Sequence, residues 1–157
     1  MSLHESIHIT DWFYITFIEN MGMAFGMQLG SKILLSLFRV VAIAVLGYYI
    51  WLEVKKQARW GYIVCLSMVL AGAAGNLIDC MFYGLCFSAS TGDTIANYVG
   101  FAGEGHYAGF LEGKVVDMFE MPFTFVWNIA DAAITIGVIL LLLFYRKEMS
   151  QISLKRE

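Results

Sequence analysis

Three stretches of this chain stay apolar almost without a break: 33–52, 60–83 and 123–145. Each is close to the twenty or so residues a helix needs to cross a hydrocarbon core of about 30 Å, so three transmembrane helices are predicted. Around them, polar and apolar positions scatter. Segment 1–32 and loop 84–122 are read as extracytoplasmic, and 146–157 as a cytoplasmic tail, within a single membrane domain spanning 1–157. Orientation follows from the basic residues. Lys55, Lys56, Arg59, Arg146, Lys147, Lys155 and Arg156, seven of the ten, flank one side, which the preference of Lys and Arg for the cytoplasm marks as inside. The opening 1–10 has neither the basic nor the apolar region of a secretory signal peptide. Segment 7–17 is rich in Ile, Thr, Phe, Tyr and Trp, which favours short strands. Part of the outer loop, 84–113, carries seven glycines and reads as irregular surface.

Composition agrees with the pattern. The 157 residues are 59% hydrophobic and 15% charged, with a mean hydropathy of +0.69. A soluble domain carries about a quarter charged residues. The net charge of −3 offers no basic footprint, and no phosphate-cradling glycine loop is present, so nucleic-acid partners are excluded. The fold class expected is an all-α membrane protein: a transmembrane helical bundle with a small extracytoplasmic β-cradle element.

The chemistry lies in polar residues within the apolar stretches. Asp131 sits inside the third, where a carboxylate must be paired, hydrated or protonated. At about 1.5 Å per residue, Asp79 stands about 28 Å from Trp60 and Asp131 about 22 Å from Arg146, so both approach the outer boundary. Asn76 and Asp79 are three residues apart, as are Asn128 and Asp131, so each amide shares a helix face with its acid. Turning those faces toward each other is the economical packing where lipid offers no hydrogen-bond partners. Asp117, just before Pro122 and the last span, can fold onto the same outer mouth. Two carboxylates there would divide into one ionised and one protonated group, the aspartic-protease arrangement.

Plainer roles stay open. Asn76 and Asp79 suit interhelical hydrogen bonding, Asp131 suits an ion pair with Arg39, and Asp117 suits a solvated cap. Cys65, Cys80 and Cys86 lack metal-ligand spacing, and His4, His8 and His106 lie outside the spans. A disulfide between Cys80 and Cys86 is permitted at the outer face. A non-enzymatic carrier subunit, whose buried acids bind protons or cations, is the competing function.

Four blocks of sequence resemble those of signal peptidase II, the bacterial lipoprotein signal peptidase family. Asn20-Met21-Gly22-Met23-Ala24-Phe25 resembles its Asn-x-Gly-x-Ala-Phe block and Gly75-Asn76-Leu77-Ile78-Asp79 its Gly-Asn-x-x-Asp block. Val115-Val116-Asp117 and Trp127-Asn128-Ile129-Ala130-Asp131 resemble its two catalytic blocks. The resemblance implies an intramembrane aspartyl endopeptidase of the bacterial inner membrane. Asp117 and Asp131 would form its dyad, in place of the Asp79–Asp131 pairing that spacing suggests. Asn20, Asn76 and Asn128 would line the site and hold substrate or dyad. The substrate implied is a diacylglyceryl-modified prolipoprotein, cut on the amino side of its lipidated cysteine, with water as nucleophile and no cofactor. Three departures stand out. Cys80 occupies a position where many members have Arg, so Arg39 or Lys114 would have to supply that cation. The stretch from Asp79 to Asp117 is longer than usual, making 84–113 an outer insertion. The family has four membrane helices and three are drawn here; if the first is truly absent, an inactive truncated homologue is the further alternative.

Overall fold

In the computed structural model, residues 5–21, 32–91 and 94–154 are described, with side chains up to 150. Among the described residues four helices and three strands follow one another as β1 (Ser6–Thr10), β2 (Phe13–Asn20), α1 (Lys32–Lys55), α2 (Trp60–Cys86), β3 (Val115–Glu120), α3 (Ile129–Phe144) and α4 (Arg146–Leu154). By length and composition α1 and α2 can each cross a membrane, with 24 and 27 residues, while α3 is a shorter apolar helix.

The label all-α therefore does not hold. The strands pair as a three-stranded antiparallel sheet in the order β1-β2-β3. Two of them fall where β-branched and aromatic residues alternate near the start of the chain. The third lies in the segment between α2 and α3, and Asp117 is at its centre. Residues 22–25 of the Asn20 block lie outside the described residues.

The third span also begins later than hydrophobicity suggests. Pro122 cannot donate to a helix ladder, and Phe123 takes a positive φ of 68°. The chain then folds back along β3: the Trp127 amide donates to Phe119 O at 2.9 Å, and Trp127 O accepts from Phe119 N at 2.8 Å. Helix α3 can start only after that turn, so its 16 residues give about 24 Å of rod.

The chain divides into two compact units, Met1–Val41 with Gly75–Asn128, and Ala42–Ala74 with Ile129–Glu157. The second is built on Tyr62, Cys65, Leu66 and Leu141, flanked by Leu46, Tyr49 and Ile50. Small residues let its helices approach closely. A Cβ at Gly137 would lie 2.9 Å from Cys65 O, and one at Gly72 would strike Ala130 O. The Tyr49 and Tyr62 hydroxyls bond to each other at 2.8 Å, and Arg59 pairs with Glu148 of α4 at 3.1 Å. The tail expected after Arg146 is thus a helix through Leu154.

The first unit carries the sheet, the loop after α2 and the adjoining ends of α1 and α2. Ser36 of α1 donates to Leu111 O at 2.7 Å. Gly113 rests on the end of α2: its amide donates to Cys80 O at 2.9 Å, and a Cβ there would lie 2.8 Å from Gly84 N and strike Asp79 O. Glycine is needed for that contact. The loop before it is pinned by short bridges, Phe87 to Tyr98 and Ser88 to His106.

Candidate active site

Within α2, Asn76, Asp79, Cys80 and Tyr83 recur at helical spacing and form one polar face. Strand β3 enters against it. The Val116 amide donates to Asp79 Oδ2 at 3.2 Å, so Asp79 holds the backbone one residue before Asp117.

Asp117 is 2% exposed and both of its oxygens are occupied. Asn20 Nδ2 donates to Oδ2 at 3.0 Å, and Asn128 Nδ2 donates to Oδ1 at 2.7 Å. The first bond follows from register. Asn20 pairs with Val115 across the β2·β3 ladder, so Asp117, two residues on, is its diagonal neighbour on the same face. The second follows from the turn at Phe123–Trp127, which returns the chain to β3 just as Asn128 is reached. Asn128, 6% exposed, also donates to Asn76 Oδ1 at 3.0 Å and approaches Val116 O at 3.3 Å. Three of the expected amides thus meet Asp117 directly or through one another. Such a carboxylate is fixed in place and acts as an acceptor on both oxygens.

Asp131 belongs to the other unit, in the first turn of α3. Asn128 immediately precedes that helix, the position where an Asn caps orphan amides. Asp131 is then the third helical residue, where the positive end of the helix dipole favours a carboxylate.

One feature answers an alternative that the sequence left open, and another was not anticipated from it. Arg39 Nη1 donates to Cys80 Sγ at 3.0 Å, so α1 brings a guanidinium to the position where the resemblance leads one to expect Arg. Cys65, Cys80 and Cys86 are all free thiols, so the permitted Cys80–Cys86 disulfide does not form. The other is a buried acid cluster around Glu19, whose carboxylate accepts from Tyr83 Oη at 3.2 Å, Ser90 Oγ at 2.5 Å and Lys114 Nζ at 2.6 Å. Glu19 immediately precedes the Asn20 block, and its charge was the signal available. Tyr107 completes the surroundings of Lys114: its hydroxyl accepts from the Lys114 amide at 2.7 Å, and its ring lies 5.1 Å from Nζ. Burial pushes the Tyr107 phenol up to about 12, which keeps it neutral at ordinary pH.

The architecture is that of a bacterial membrane enzyme. Two solved structures described in those words, one determined by the in meso method at 2.3 Å and one at 1.9 Å, each match with a TM-score of 0.64. They are 24% and 25% identical in sequence, cover 96% and 94% of this chain, and are themselves covered to 76% and 78%. Residues 1–146 match the family described as Signal peptidase (SPase) II, and the chain belongs to that family. It is therefore a protease. The lipoprotein signal peptidase of Porphyromonas gingivalis is 42% identical over 171 residues, covering 96% of this chain and 74% of that protein. Those of Amoebophilus asiaticus and Chlorobaculum parvum are 33% and 32% identical, covering 90% and 88% of this chain and 64% and 75% of their own. Membership replaces the carrier reading.

Proposed function

We propose that the chain is an aspartic endopeptidase that removes the signal peptide from diacylglyceryl-modified prolipoproteins, cutting on the amino side of the lipidated cysteine. Its setting is the bacterial inner membrane, which it crosses more than once as a helical bundle, with the reaction near the outer face. The site residues are Asp117 and Asp131 as the dyad, with Asn20, Asn76 and Asn128 holding it and the substrate.

The observation that carries this reading is a buried carboxylate, Asp117, held on both oxygens by the carboxamides of Asn20 and Asn128. Two amide donors suit the ionised form, so Asp117 is assigned as base and Asp131 as the protonated partner. Water attacks the scissile carbonyl carbon and gives its proton to Asp117, while Asp131 gives its own to the carbonyl oxygen. The gem-diol then collapses. Its carbon–nitrogen bond breaks, the proton on Asp117 passes to the leaving amine, and one hydroxyl proton of the diol returns to Asp131. The chain ends as free carboxylic acid and amine, and both aspartates regain their starting states.

The test is cleavage of a lipidated precursor by Asp117→Asn and Asp131→Asn in lipid bilayers. Each variant should fold and lose essentially all turnover. Cleavage persisting in both would remove the assignment.

A further inference from the structure

Glu19 and Asn20 are consecutive on β2, so their side chains leave opposite faces of the strand. Each reaches diagonally across the same ladder, Asn20 into β3 and Glu19 to the residue just before it. Asn20, opposite Val115, bonds to Asp117 on one face, while Glu19, opposite Val116, bonds to Lys114 on the other. The Glu19 side chain is 2% exposed and the Lys114 side chain 24%, so the ion pair is largely removed from water. It is further fixed from two sides. Tyr83 ties it to α2, Ser90 ties it to the outer loop, and Ser90 Oγ in turn accepts from the Ala96 amide at 2.9 Å.

We propose that Glu19 and Lys114 are a positioning pair that locks the β2·β3 register and so holds Asp117 against Asn20, with Ser90 tying the outer loop to the same lock. The physical need is specific. Strand side chains alternate faces, so a slip of one residue would carry Asp117 to the face now occupied by Glu19. The ladder is already irregular between Ile15 and Ile18, just before these pairs, so the hydrogen-bonded backbone does not fix their register unaided. Setting register is the best-attested use of a buried polar or ionic group, at a cost in stability rather than a gain.

This rests on the protease reading and is tested beside it, with the chain in liposomes and a synthetic diacylglyceryl-cysteine peptide as substrate. Lys114→Met should lower kcat about tenfold or more while KM stays within about twofold, because the reacting carboxylate is displaced and the substrate surface is not. Lys114→Arg restores a cation and should stay within about threefold of the parent. Should Lys114→Met fail to fold around an unpaired Glu19, the neutral pair Glu19→Gln with Lys114→Met removes that charge and should still show a deficit of about fivefold in kcat. Parental kcat in the neutral pair, a loss confined to KM, or Lys114→Arg no better than Lys114→Met overturns the proposal. Asp117→Asn separates the two readings. Turnover surviving in that variant defeats the placing of Asp117 in the dyad, whereas an inert Asp117→Asn beside an undiminished neutral pair defeats the register lock alone.

Discussion

Asn128 touches Asp117, Asn76 and the Val116 carbonyl through one amide nitrogen. Its loss should show as chemistry. A hydrogen bond to a charged group contributes about 1.5–3 kcal/mol, so Asn128→Ala should lower kcat roughly tenfold to a hundredfold with KM little changed, measured by steady-state cleavage of a lipidated peptide. Asn128→Asp should be worse, since it sets a second carboxylate beside Asp117. Asp79, by contrast, is spent on the Val116 amide. Its match to the helical spacing of the Asn128 segment reflects the shared polar face of α2, and the residue that enters the site from outside is Asp117.

What brings β3 to α2 is a glycine, and the contrast between two glycines gives a clean measurement. At Gly113 an added methyl would press on Asp79 O and Gly84 N, both rigid backbone. Gly113→Ala should cost about 1–3 kcal/mol by overpacking, read as a lowered melting temperature in detergent, and should slow cleavage by shifting β3. Gly47 in the middle of α1 has nothing within 4 Å of such a methyl. Gly47→Ala should leave activity intact and stabilise the helix by up to about 1 kcal/mol. The turn between β3 and α3 follows the same logic. Trp127 pairs with Phe119 in backbone and ring, with centroids 5.0 Å apart, and that closure delivers Asn128 to Asp117.

Along α1, Leu34, Phe38, Val41, Val45 and Tyr48 are all exposed and recur every three or four residues, an apolar stripe the length of the helix. Such a face suits lipid. Val41→Arg should therefore reduce the amount of folded protein in the membrane fraction, at a penalty of about 2.5–3.5 kcal/mol for a cation near a helix centre, while Val41→Leu should be neutral. The long apolar runs, and with them α1 and α2 to within three residues, were readable because hydrophobicity is a local property of consecutive side chains. So were Asn20, Asn76, Asp117 and Asn128, whose residue types and order within four blocks carry the family signature. Other features were not local. That β3 is a strand, that α3 starts at Ile129, that Arg39 rather than Lys114 answers Cys80 and that Glu19 meets Lys114 all depend on which distant segments share a surface. Hydrogen-bond partners and strand register are set by closure of the whole chain, because a backbone amide or buried charge takes whatever partner the fold brings within about 3 Å, at any separation in sequence.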